Sequence, residues 1–434
     1  MKARTRANAV ALVLVVIASM HAAPAFAIQT FTVNSVLDEI DDDTSDGICH
    51  TASDTCTLRA AVMQANRTTG VGATIVLPEG TYGLARPPAG SNGDDNGDLD
   101  FAAPTQGNPV INLEGAGQSS TIIDANQIDR VLEVGASRTA TISDLTIRNG
   151  FLPPEGAGGG IYSLGSLVLT RVTLETNRAG YGGAIAGIFG DLTIDDSNML
   201  ANTAVESGGA IYSAVSLKIT GSTIASNSAD SGGGIYIFGS LVMINSTIAS
   251  NAANESGGGM RYSSVADTNI YNSTIAYNGA DQDQDFSGSG GGVAVAQGGG
   301  LFNIYNTILA GNFVSNAPVP DDCVGVVASH ARNLFGATDD CQIVVVSGNW
   351  DLLNSLDFLG VPQDNGGTTP TIALLAGSNA IDGAIMGIGC LDSTSPILTD
   401  QRGFPRNVGV CDLGAFEYGA SDPDDGVFTN GFEP

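Results

Sequence analysis

The chain has 434 residues, 45 acidic against 16 basic, and a net charge of −29, which argues against nucleic acid and anionic membrane surfaces as partners. Its 58 glycines are about twice the usual share, as a chain with many sharp corners requires. Length alone suggests two or three domains, but a repeat array runs this long as one body.

Residues 1–27 read as an export signal: Lys2, Arg4 and Arg6 precede the apolar run Val10 to Met20, and Ala25-Phe26-Ala27 is a small-x-small cleavage site. The run is short for a membrane span, and nothing later approaches roughly 18 apolar residues, so no integral span is expected after cleavage. Without the leader, 13 basic against 45 acidic residues give −32, a charge that also disfavours polyanionic glycans unless calcium or clustered cations bridge them. The six cysteines fall in three near pairs, Cys49/Cys56, Cys323/Cys341 and Cys390/Cys411, and in an exported chain read as disulfides, with sequential pairing preferred. With only His50 and His330 left after cleavage, neither catalytic zinc nor a Ser-His-Asp triad is expected.

Residues 28–70 form a cap segment. The strand-like Phe31-Thr-Val33 leads into an acidic loop in which Asp42, Thr44 and Asp46 make a weak calcium pattern. In the segment Cys56 to Asn66, Leu58, Ala61, Val62 and Ala65 share one helical face and Thr57 can cap it, a lid for the first coil of a solenoid. Further on, Asp94, Asn96, Asp98 and Asp100 alternate oxygen ligands as calcium loops do, making calcium the one cofactor expected; the loop lacks the glycine and glutamate of an EF-hand.

Residues 71–315 carry the repeat. A Gly-Gly-x-apolar phrase ends at Ile161, Ile185, Ile211, Ile235, Met260 and Val293, at intervals of 24, 26, 24, 25 and 33 residues. In step with it, Leu174, Met199, Ile224, Ile248, Ile275 and Leu309 each stand three places before an asparagine. Short alternating β-branched segments leave no room for a helix of about ten residues. The expected fold is all-β, a right-handed parallel β-helix with both apolar series stacked inward, roughly 4.8 Å per coil.

On such a fold function lies on the outward ladders. The residues after the first apolar series include Tyr162, Tyr212, Tyr236 and Arg261, a strip suited to the flat faces of sugars, or to stacking that merely covers the sheet. Glu206, Asp230 and Glu255 stand five residues before successive ladder members and form an acidic column, in which neighbours at coil spacing repel by ~1 kcal/mol in water. Splaying, a bound Ca²⁺, or a raised pKa on one member would relieve this, and only the last makes a glycosidase acid. Lys218, outward on the next strand of the Tyr212 coil, is the best lyase base, set against a plain solvated strand residue.

Residues 316–418 lose the glycine phrase and read as irregular last coils plus a disulfide-braced closing segment, with Arg402 paired to Asp400 or Asp412. Residues 419–434 are a polar tail, expected to be disordered. Asp46-Gly-Ile-Cys49 followed by Cys56-Thr-Leu-Arg-Ala-Ala-Val-Met-Gln-Ala-Asn66 resembles the CSLREA segment of bacterial exported β-helix proteins, with Thr57 for Ser and Ala60 for Glu. Gly97-Asp-Leu-Asp-Phe101 is similar to a phrase that follows it there. Asp364-Asn-Gly-Gly-Thr-Thr-Pro-Thr371, Ser378-Asn-Ala-Ile-Asp-Gly383, Asp400-Gln-Arg-Gly403 and Cys411-Asp-Leu-Gly-Ala-Phe-Glu417 look like the choice-of-anchor Q family. The central repeats resemble those of polymorphic outer-membrane proteins, and Val427-Phe-Thr-Asn-Gly-Phe-Glu433 looks like a Gram-negative sorting phrase.

The resemblance implies a pectate-lyase-like β-helix, exported and surface-associated, without implying an activity. The function expected is therefore binding of a polysaccharide or another cell-surface partner along the outward ladders, by a protein secreted from or held at the outer surface of a Gram-negative bacterium. The competing expectation is a polysaccharide lyase or hydrolase on the same face.

Overall fold

The computed structural model describes residues 28–421 except 69–71, 89–92, 106–109, 297–298, 316–318, 348–349, 356–357, 386–389, 393–394 and 407–409. The leader and nearly all of the tail lie outside the described residues. From Gln29 to Ser347 the chain is built as a parallel β-helix in which strands pair with those about a coil later.

Both apolar series stack in register and are completely buried. Three faces enclose them. A glycine face holds the strands from Leu99–Phe101 to Val293–Val295, and a broad face runs from Gln29–Thr32 to Cys341–Ser347. An asparagine face runs from Gly80–Gly83 to Ile308–Ala310, and a short outer ribbon, Arg178–Tyr181 to Phe313–Val314, leads back to the glycine face. The glycine corner needs its glycines for two separate reasons. Gly208 has φ +70°, and a Cβ on Gly209 would lie 2.1 Å from the Gly233 carbonyl oxygen of the next coil.

The asparagines after the second apolar series form a buried ladder that sequence pattern marks but does not explain. Asn202 Oδ1 accepts from the backbone N–H (3.0 Å) and Nδ2 (3.1 Å) of Asn177, while Asn202 Nδ2 donates to the Leu174 carbonyl (2.9 Å) and Asn227 Oδ1 (3.0 Å). The same geometry repeats through Asn251, Asn278 and Asn312, and ends at Asp322, whose Oδ1 accepts from both Asn312 nitrogens. A hydroxyl ladder of Ser197, Ser222, Ser246 and Ser273 serves the neighbouring corner, each Oγ taking the backbone N–H one coil earlier. These corners turn inward, where unpaired N–H groups would be costly, so each is given an acceptor.

The N-terminal helix, Leu58–Arg67, is capped by Thr57, which accepts from the Ala60 N–H. Its apolar face joins the solenoid core, as its spacing predicts. One broad-face strand precedes the helix, Gln29–Thr32, which pairs with Ala73–Val76, and the helix follows it against the first coil as the expected lid. Its polar face is buried as well, because the acidic loop wraps it and Asp41 Oδ1 accepts from Gln64 Nε2. The weak calcium pattern in that loop is filled internally, with Asp42 and Asp46 both paired to His50.

At the other end the coils continue past 315 through Cys323–His330 and Cys341–Ser347. The closing segment then doubles back along the asparagine face. Gln401 sits between Thr247, Thr223 and Thr369, and Arg406 donates to Asn245 Oδ1 (2.9 Å). A second apolar core forms beneath it, on the row of small outward residues Ala249, Ala276 and Ala310. Arg402 pairs with Asp400 (2.6 Å) and stacks on Phe416. The cysteines pair sequentially in all three cases.

Candidate ligand-binding flank

One outward ladder on the glycine face runs in register through Asp100, Glu133, Tyr162, Ala186, Tyr212, Tyr236, Arg261 and Ala294. The four residues of the expected strip therefore share one row, but they do not form a flat platform. Tyr212 and Tyr236 stack on each other at 5.9 Å and 25°, so each covers a face of the other. Arg261 lies 6.0 Å over Tyr236. The accessible ring surface belongs largely to two residues the repeat pattern does not reveal: Phe238, 43 % exposed and 4.9 Å from Tyr236, and Tyr181, 36 % exposed and edge-on to Tyr212. Phe238 follows the ladder strand Ile235–Ile237 and Tyr181 ends the ribbon strand before Ile185–Gly187, where a rule based on one position per coil cannot see them. Burial, followed by its tyrosine neighbours, raises the Tyr212 pKa, keeping the hydroxyl a donor at neutral pH.

At the N-terminal end of the row lies a hollow of about 560 Å³ lined by Asn96, Asp98, Arg130, Glu133, Glu155 and Tyr162, among others. Arg130 donates to Asp98 (2.8 Å) and Glu133 (3.2 Å) and lies 5.0 Å over the Tyr162 ring. Carboxylate oxygens of Asp98, Asp100 and Glu133 come within 4.8 Å of one another and could hold a divalent cation. Burial, with the charges of Asp98, Glu133 and Asp94, pushes Asp100 up to about 7. Burial likewise raises Asp98 and Glu133 against the pull of Arg130.

The expected calcium loop is rearranged. Asp98 and Asp100 join Glu133 from the next coil, Asn96 lines the hollow, and Asp94 is held by Asn66 Nδ2 (3.0 Å). The loop carbonyls that would face an ion instead face Arg59: Asp94 O at 3.3 Å, Gly97 O at 2.7 Å and Asp98 O at 3.0 Å. Arg59 is fully buried and paired with Asp38, so an arginine fills the loop's cation role.

The acidic column splays. Glu206 and Glu255 are exposed, and Asp230 between them accepts from Asn254 Nδ2 (2.6 Å). Lys218 is exposed on the broad face, in register with Thr193 and Val242, one face away from the tyrosine row. The expected base and carboxylates are thus spread over successive faces of the coil.

No family model matches the chain, and the comparisons with curated proteins and with solved structures find no match. What fold and site define is a class, a parallel β-helix bearing an aromatic row that ends in an acidic hollow. Among the described residues no helix is long and apolar enough to cross a membrane.

Proposed function

We propose that the protein is exported and binds extended, neutral glycans along the glycine-face flank. The observation that carries this reading is the shared register of one outward row, which sets the Tyr181–Tyr212–Tyr236–Phe238 cluster and the hollow over Tyr162 on the same flank, with the buried Ala186 between them. Aromatic carbon surface with a few convergent hydrogen-bonding groups suits a sugar chain. The hollow's several carboxylates against one arginine favour sugar hydroxyls over uronate or sulfate. Export is supported by three disulfides and by the leader-like first 27 residues. Surface association, which the sequence resemblance suggests, and calcium dependence through the Asp98, Asp100 and Glu133 carboxylates belong to the same reading. The test is retention of the purified chain on a panel of neutral and acidic polysaccharides, with Tyr162→Ala beside it. Retention confined to acidic polymers would overturn the reading.

A second reading, hydrolysis of the same glycan, is favoured by one observation: Asp100, pushed up to about 7 and so partly protonated at neutral pH, stands close to Asp98 and Glu133. Glycan shortening that Asp100→Asn abolishes would establish it. Retention without new reducing ends would dismiss it.

A further inference from the structure

The interval before Val293 is 33 residues, where the preceding intervals are 24 to 26. The added length centres on Asp281-Gln-Asp-Gln-Asp-Phe-Ser-Gly288, between the ribbon strand Gly279–Ala280 and the glycine-face strand Val293–Val295. It continues the acidic column: the Asp281 N–H donates to the Glu255 carbonyl (3.4 Å), as that of Glu255 does to Asp230 (2.7 Å).

Here the carboxylates converge rather than splay. Oxygens of Asp281, Asp283 and Asp285 lie within 4.8 Å of one another. Asp281 is 0 % exposed; its Oδ1 accepts from the Phe286 N–H (3.2 Å), while its Oδ2 is sealed from solvent with no donor. A buried carboxylate oxygen without a partner is costly. Several other carboxylates are paired with arginine, Asp38 with Arg59, Asp98 with Arg130, Asp400 with Arg402 and Glu417 with Arg406, while Glu39 Oε2 and Asp321 Oδ1 are buried without a partner but stand in no such carboxylate cluster among the described residues. Among the described residues no basic side chain pairs with any of the three aspartates. Ser287 donates to Asp285 from its hydroxyl (2.6 Å) and its backbone (2.9 Å), which fixes the orientation of that carboxyl group.

We infer that Asp281, Asp283 and Asp285 form a calcium site in which the ion supplies the missing partner of Asp281 Oδ2 and pins the inserted corner. The three ligands are hard oxygens on alternate residues, without histidine or cysteine, and Asp283 and Asp285 are open to the water that would complete a calcium shell. The site is separate from the aromatic row, and its test does not depend on a glycan.

The test is calorimetric titration of CaCl₂ into the mature chain, alongside Asp283→Asn/Asp285→Asn and Asp98→Asn/Glu133→Gln. Both aspartates of the first variant are exposed, so its fold should survive. The expected result is an ion bound by the wild type and by the second variant, but lost or weakened at least ~100-fold in the first. Calcium should also slow chymotryptic cleavage after Phe286, 80 % exposed, in the wild type and not in the first variant. Absence of calcium uptake by the wild type, or equal uptake by Asp283→Asn/Asp285→Asn, would overturn the assignment.

Discussion

Replacing Asn227 tests whether the asparagine ladder holds the coils together. Its Oδ1 accepts from the backbone N–H (2.8 Å) and Nδ2 (3.0 Å) of Asn202, and its Nδ2 donates to the Met199 carbonyl (3.0 Å) and Asn251 Oδ1 (2.9 Å). Asn227→Ala leaves the buried Asn202 N–H without its acceptor, at ~1–3 kcal/mol, and removes two donated bonds of ~1 kcal/mol each. A total of ~3–5 kcal/mol is a large share of the ~5–15 kcal/mol typical of a folded domain. Asn227→Asp separates the two roles: it keeps the acceptor but turns an oxygen toward the Met199 carbonyl and Asn251 Oδ1. That carboxyl would be driven to stay protonated, so the folded form would hold a proton the unfolded chain releases. Stability would then fall as pH rises. Asp322 shows why an acid suits only the final rung: it accepts from Asn312 and from the Ala337 N–H and has no further rung to serve. Urea unfolding followed by circular dichroism at pH 5 and pH 8 is the assay. A loss below ~1 kcal/mol for Asn227→Ala, or no pH dependence for Asn227→Asp, would refute the reasoning.

Asp100 is pushed up to about 7, and Asp322 and Asp412 to about 6, chiefly by burial. The folded chain therefore holds protons that the unfolded chain has released, and its melting temperature should fall as pH rises from about 4 to about 7. Asp100→Asn should flatten that profile, and a melting temperature that rises across this range would contradict it. Arg59→Lys, which cannot reproduce the bidentate bond to Asp38 and three carbonyl contacts, should cost ~3–5 kcal/mol in the same unfolding assay. Gln401→Ala should loosen the closing segment from Thr223 and Thr247 and raise amide exchange there, while the exchange of Ile161 and Ile185 stays unchanged.

The two inward ladders were legible because a coil of nearly constant length repeats its core residues in step, and the tyrosine row followed one residue later. Glu133 was not legible beside Asp100: they lie a coil apart in a region without the glycine phrase, so nothing fixes their register. The course of the closing segment left a trace that pattern reading can use. Thr-Ile-Ala recurs at 223–225, 247–249 and 274–276, and alanine at an outward position of three successive coils is what a covered surface needs. Arg59 escaped because a buried cation can replace a metal ion among carbonyls, and alternating acids look alike in both cases. Asp281, Asp283 and Asp285 carry the same alternating signal, and only the unpaired Oδ2 separates them from the loop at Asp94.

The central claim, that the outward row binds sugar chains, is tested most directly by measuring the affinity of the mature chain for a neutral polysaccharide retained from the panel, against Tyr212→Ala/Phe238→Ala. With two rings removed from the exposed cluster, affinity should fall at least ~10-fold while the melting temperature stays close to wild type. Equal affinity in the variant, or no neutral glycan retained by the wild type, would contradict the account and leave the tyrosines as a stack that covers the sheet.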